Sequence, residues 1–427
     1  MKNSNIKCSL KYGDRKIELK LEEKNIIAIL SNDKTKILKD PLVYLEKLLE
    51  KPINSLSLKN LIVRKKARKI LIIVNDITRP TPFHVLLPPL LIKLGQIGIQ
   101  REDITFLIAT GAHRENTVEE NIRIFGDSLV SSYHFINHLC DDEKLIDLGR
   151  LKSGNRLLVN PIIKQVDFII TTGVIVPHYI AGFSGGRKSI LPGICGRETI
   201  ERNHAYMLHP NAVAANIEGN PVHEEMMEAA QKVKVDFNIN AITDENGNII
   251  NIVAGALTES WLQGVEICRD TYICSIREKA DVVFTSAGGY PKDINIYQAQ
   301  KALDNAYQTV KSGGTIVLVA ECREGLGNTV FKKWIEEAQK IDDIEERLKK
   351  GFILGGHKAY AIAKVAKEVD IILLSSLSKN QVKKLFMIPA EEMKQALALI
   401  QEKHGNGFQC YVMPNGSIVL PQTKKYI

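Results

Sequence analysis

Residues 70–80 read ILIIVNDITRP, and the change of character inside this stretch decides the fold. Ile70 to Val74 are five consecutive apolar residues. A strand with no polar face is buried on both sides, which points to a parallel sheet covered by helices. The stretch then turns polar, placing Asp76, Thr78 and Arg79 at the strand's carboxyl end, where ligands of open α/β sheets bind. The plainer reading of Asp76 or Thr78 is a helix cap.

Outward from there, Ile104 to Ala109 and Val166 to Thr171 repeat the apolar strand, and Phe83 to Leu94 reads as helical beyond its prolines. Thr110-Gly111-Ala112-His113-Arg114 repeats the strand-end placement, so Arg79, His113 and Arg114 suggest an anion pocket. Alternating segments Ile6 to Lys11 and Ile17 to Leu21 around Gly13-Asp14 read as a hairpin, as do Phe237 to Ile242 and Ile249 to Val253 around Asp244 to Gly247. Past a helical stretch at Trp261 to Cys268 comes a second series. Its strands are Val282 to Thr285, Ile316 to Ala320 and Ile371 to Leu374, and its helices lie near Gln298 to Val310, Lys332 to Gln339 and Tyr360 to Glu368. The expected class is α/β, with two domains each built on a mostly parallel sheet with helices on both faces, plus peripheral β-hairpins. The boundaries expected are residues 1–270, 271–408, and a hairpin or tail over 409–427 around Asn415-Gly416.

Composition agrees with a soluble globular chain: 427 residues, 25% charged and 44% hydrophobic, with a formal charge of +8. Seven cysteines without a C-x-x-C pair fit neither a zinc ribbon nor a secreted disulfide framework, so a reducing cytoplasm is expected. No apolar run reaches the roughly 18 residues of a membrane span, and the polar Met1 to Asp14 is not a signal peptide. The basic run Arg64 to Lys69 lacks interleaved aromatics and reads as a solvated face, so neither nucleic acid nor membrane is an expected partner. The excess charge hints at an anionic ligand.

The segment His178-Tyr179-Ile180-Ala181-Gly182-Phe183-Ser184-Gly185-Gly186-Arg187-Lys188-Ser189 follows the third strand. Its glycines permit positive φ and close backbone approach to a phosphate. Against the phosphate-loop pattern, Gly182, Lys188 and Ser189 fit, but Arg187 stands where the second glycine belongs. Lys188 is either a point charge or, deprotonated, a nucleophile, and the pattern does not choose. His204 lies on a helical stripe with Ile200, Met207 and Leu208, suited to core packing or to metal ligation. Farther on, Gly288-Gly289-Tyr290-Pro291 ends a strand, and Gln298 and Lys301 share a helix face that suits a carboxylate.

Taken in order, Asp76 to Pro80, Thr110 to Arg114, His178 to Lys188 with His204, and Gly288 to Pro291 through Gln298 and Lys301 resemble the lactate racemase family of nickel-pincer nucleotide-dependent 2-hydroxy acid racemases. The resemblance implies a cofactor, pyridinium-3-thioamide-5-thiocarboxylic acid mononucleotide with Ni(II). It would be attached covalently at Lys188, with His204 as a nickel ligand, and loaded by cofactor-synthesis proteins. Asp76, Ile77, Thr78, Arg79 and the glycines near 185 would hold it, making the first domain cofactor-binding and catalytic. Racemisation through hydride transfer avoids a carbanion beside a carboxylate, and two bases, His113 and His178, would serve the two enantiomers through a 2-keto acid. Arg79, Gln298 and Lys301 would hold the substrate carboxylate, the last two from the second domain, so that domain closure assembles the site. Lactate is the first substrate implied. Malate or a longer polar acid is the alternative, because His357 and Lys358 in the segment Gly355 to Ala359 could meet a second negative group. A phosphate-loop enzyme and a non-catalytic anion-binding protein are the competing classes.

Overall fold

The apolar run at 70–74 begins the strand Ile70–Asn75, and these first five residues are buried. It pairs in parallel on both edges, with Ile104–Ala109 and with Phe168–Ile175, and an apolar layer covers each of its faces. The computed structural model describes residues 4–31, 36–244, 246–351, 353 and 355–423. The chain divides into two units, residues 34–271 and residues 1–33 with 272–427.

In the unit 34–271 the sheet order is Ile249–Gly255, Phe237–Thr243, Phe168–Ile175, Ile70–Asn75, Ile104–Ala109, His134–Asn137. The first of these is antiparallel, forming the expected hairpin with Phe237–Thr243, whose Glu245 lies outside the described residues. Ile72, Phe106, Leu86 and Leu90 pack on one side of the sheet, and Leu71, Ile73, Ile190 and Met226 on the other. The chain runs outward from Ile70–Asn75 through two strands, then returns to its opposite edge with Phe168–Ile175. Adjacent strands whose connections leave in opposite directions open a crevice at their carboxyl ends. Asp76 and the segment after Ile175 flank that crevice.

The other unit has six parallel strands in the order Ile388–Ala390, Asp370–Leu374, Val310–Val319, Ala280–Ser286, Cys410–Met413, Ile26–Ile29. Two apolar layers cover it, one with Val283, Leu303 and Ile362, the other with Val282, Phe284 and the hairpin residues Leu10 and Leu19. The division at 270 therefore needs correction. The strand Ile26–Ile29 pairs with Cys410–Met413, and the N-terminal hairpin, Asn5–Tyr12 with Arg15–Glu22, covers this sheet. Among the described residues, 409–423 do not form the expected hairpin either. Cys410–Met413 lies between two parallel partners, and Leu420–Thr423 pairs in parallel with Ile273–Ile276. Gly416 is needed for close approach, since a Cβ there would sit 2.0 Å from Thr285 Oγ1.

Candidate active site

Asp76 is 3% exposed, and its carboxylate is spent on its neighbours. His113 donates from Nδ1 to its Oδ2 at 2.6 Å, and Thr78 donates from Oγ1 to its Oδ1 at 2.7 Å. Burial pushes the Asp76 carboxyl up, but the bonds from His113 and Thr78 outweigh it and hold it below the ordinary carboxylate range. With Nδ1 donating, the neutral His113 ring carries its lone pair on Nε2, on a side chain 42% exposed. Asp76 and Thr78 thus fix the His113 ring, a role the sequence had not suggested for them. Ile77 donates its N–H to Asn116 Oδ1 at 3.2 Å. Arg114, expected in the anion pocket, is instead forked onto Glu120 at 2.5 and 2.8 Å.

His178 follows the returning strand and is half-buried. Burial, then the charges of Lys188, Arg79, His204 and Arg187, hold its pKa well below that of an ordinary imidazole. Its Nδ1 accepts the Ala181 N–H at 3.3 Å, so the neutral ring carries its proton on Nε2. Burial, Arg79 and Arg187 likewise lower Lys188 well below an ordinary amine, which favours the nucleophilic free base. Burial and Lys188 hold His204 down to about 4, and its Nδ1 donates to the Ile200 carbonyl at 2.9 Å, which puts the lone pair on Nε2. His178, Lys188, His204 and Arg79 are therefore close enough to act on one another electrostatically.

The glycine loop serves its own packing. Gly185 and Gly186 have φ of 73° and 51°. A Cβ on Gly185 would lie 2.3 Å from Asn240 Oδ1 and one on Gly186 2.8 Å from Trp261 Cδ1. The Gly186 N–H already donates to Asn240 Oδ1 at 2.7 Å, so it is committed within the protein rather than to a phosphate. Ser189 bonds the Thr172 carbonyl, so the phosphate-loop reading loses both its backbone and its hydroxyl donors. Arg187, the mismatch in that pattern, is fully buried, with its guanidinium 3.8 Å from the Trp261 ring centroid. It donates to His223 Nδ1 at 2.9 Å and to the Ala181 carbonyl at 2.7 Å. Burial lowers its pKa, yet a guanidinium in a cage of acceptors stays charged. Its donors are spent on the protein itself, so Arg187 ties the loop to His223 and Trp261. Sequence offered no signal for His223, Asn240 or Trp261 as partners of the loop.

In the other unit, Gln298 and Lys301 lie on the helix Ile296–Tyr307, half-buried and exposed respectively. His357 and Lys358, expected to face a second negative group, are only 3% and 7% exposed.

A carboxylate-backed histidine, two more histidines and a lysine at the switch point of a parallel sheet define the candidate site of an α/β enzyme, with titratable groups gathered at one crevice. Residues 12–215 match the lactate racemase N-terminal domain and residues 276–420 the lactate racemase C-terminal domain. The chain is 34% identical to the lactate racemase of Thermoanaerobacterium thermosaccharolyticum, over 97% of this chain and 98% of that protein. It is 31% identical to that of Lactiplantibacillus plantarum, over 96% and 98%. The solved lactate racemase apoprotein from T. thermosaccharolyticum superposes with a TM-score of 0.90 at 32% identity, covering 98% of this chain and 100% of that one. The chain belongs to the lactate racemase family and is an isomerase of the racemase type. No helix among the described residues is long and apolar enough to cross a membrane.

Proposed function

We propose that the protein racemises a 2-hydroxy acid, lactate first, using a nickel-pincer nucleotide held at Lys188 and His204. The observation that carries this reading is the pair of histidines at one crevice: Asp76 fixes His113 through Nδ1, and burial with the nearby cations keeps His178 a neutral imidazole. Racemisation needs a group that takes the hydroxyl proton of one enantiomer and a group that gives a proton to the oxygen of the other. His113, oriented by Asp76, is assigned to one enantiomer and His178 to the other, each taking the proton in one direction and returning it in the reverse.

The residues fit the cofactor. Among the described residues no three His, Cys, Asp or Glu side chains gather into a metal site, so nickel would take His204 Nε2 from the protein and its other ligands from an organic group. A Lys188 amine held as free base suits covalent attachment, and the exposed cation Arg79 suits the nucleotide's negative charge. When bound, the group supplies a hydride acceptor and donor. We assign Arg79, Gln298 and Lys301 to the substrate carboxylate. A dicarboxylic substrate such as malate is disfavoured by the burial of His357 and Lys358.

The test uses chain produced with the cofactor-synthesis proteins. Intact mass should show an adduct that Lys188→Ala removes, and His204→Ala should lose nickel before it loses the organic part. His113→Ala should slow single-turnover 2-keto acid formation from one pure enantiomer by on the order of 100 to 10,000-fold, and His178→Ala from the other. Equal losses from both enantiomers in both variants would show that one histidine is structural.

A further inference from the structure

Lys358 stands in the first turn of the helix Gly356–Ala366, where a cation meets the unfavourable end of the helix dipole. It is also buried, and the exposed Lys301 acts on it from the packed helix Ile296–Tyr307. Three features thus oppose its charge. Three others keep the amine in place: its Nζ donates to the Tyr297 carbonyl at 2.7 Å, lies 4.4 Å from the Tyr297 ring centroid, and feels the Asp304 carboxylate. Tyr297, Lys301 and Asp304 recur at helical spacing, so they form one polar stripe facing Lys358 where a helix pair would ordinarily be apolar.

We propose that Lys358 is a supporting cation for substrate binding: it stands behind Lys301, and a substrate carboxylate arriving at Lys301 draws a proton onto it. The proposal rests on the racemase reading and adds a residue to it. Burial and Lys301 hold the Lys358 amine down to about 7 in the free protein, so near neutrality it is balanced between its two states. Burial likewise holds the Asp304 carboxyl up at about 6, so near neutrality it is mostly ionised and its charge is shared between Lys358 and Lys364. An anion at Lys301 offsets the like-charge repulsion, and the added cation strengthens the anion's binding in return.

The other charged groups near this helix have their own partners, and Lys364 shares Asp304 with Lys358. Lys364 acts on Asp304, Glu345 and Lys349 act on Tyr360, and Lys367 pairs with Asp342 and Glu345. From the helix Thr329–Glu337, Trp334 meets Gly356, Lys332 pairs with Glu336, and Glu337 pairs with Arg347. His357 accepts the Gly355 N–H through Nδ1 at 3.1 Å.

Propionate, a carboxylate without a reacting hydroxyl, is the probe. On the loaded enzyme its inhibition constant should rise roughly five- to tenfold between pH 6 and pH 9. Lys358→Met should show the high constant throughout, with the slope reduced. Lys358→Arg, charged at every pH, should keep the low constant at pH 9. A merely structural lysine would leave the slope in place in the Met variant, and that outcome overturns the inference. Should either variant misfold, proton uptake on propionate binding to the wild-type chain, measured by calorimetry in two buffers of different ionisation enthalpy, decides instead; no uptake overturns it. If loaded wild type turns over no 2-hydroxy acid, the racemase reading falls by that separate observation, and the calorimetric result still stands or falls alone.

Discussion

At the scale of single residues, the crevice is held together by groups that must stay in one protonation state. Arg187 donates to His223 Nδ1, so His223 has to remain neutral, and burial with Arg187 holds it down to about 3. Burial with Lys188 holds His204 at about 4. In the unfolded chain both titrate near 6.5. A depressed folded pKa contributes stability that is present above the unfolded value and lost as pH falls toward the folded one. Stability of the unit 34–271 should therefore decline from about pH 6.5 toward pH 4, by about 1.4 kcal/mol per pH unit for each such histidine. His223→Asn keeps an acceptor near the Nδ1 position and cannot titrate, so its urea midpoint should fall less steeply over that window. An unchanged slope would remove His223 from the account. His223 illustrates why part of the site was illegible: a histidine accepting from an arginine thirty-six positions away leaves no local pattern.

At the scale of elements, strand ends could be read and their partners could not. Apolar runs bounded by polar turns located Ile70–Asn75 and Ile104–Ala109 and put Asp76 and His113 at their ends. The hydrogen bond between them joins two separate loops, which no spacing rule reports. The helix Arg197–Ala205, which carries His204, depends on a similar long-range contact. Glu225, 5% exposed, accepts from Asn203 Nδ2 at 2.8 Å, Asn155 Nδ2 at 3.2 Å and the Ser153 hydroxyl. Glu225→Ala would leave the buried amides of Asn203 and Asn155 each short of one acceptor, while the exposed Ser153 turns to water, a loss on the order of 2 kcal/mol. Glu225→Gln keeps the shape but turns one acceptor into a donor, so its loss should be intermediate. Chemical denaturation of the three proteins orders them, and an alanine variant as stable as wild type would mean that the helix is anchored by packing alone.

At the scale of the whole molecule, the sequence made the class of fold legible and the division of the chain illegible. Alternating apolar strands and helices report a parallel sheet wherever they occur, whereas the strand Ile26–Ile29 joins a partner almost four hundred residues away. This division has a direct test. The unit 34–271 contains both of its own apolar layers, from Leu45 to Leu257, and as a fragment it should unfold cooperatively. Residues 272–427 alone lack Cys8, Leu10, Tyr12, Leu19 and Leu21, which cover Val282, Phe284 and Val317, and also the edge strand. At roughly 1.5 to 3 kcal/mol for each large apolar side chain, those five amount to about 10 kcal/mol, comparable to the whole stability of a domain. The fragment should therefore lack a cooperative urea transition and show poor amide dispersion. Cys274 Sγ lies 3.9 Å from the Ser31 carbonyl, so a short Gly/Ser linker can join residue 31 to residue 272 without strain. That linked chain, 1–31 followed by 272–427, should recover both the transition and the dispersion. If 272–427 alone unfolds at the same urea midpoint as the linked chain, the hairpin and edge strand decorate this unit instead of completing it.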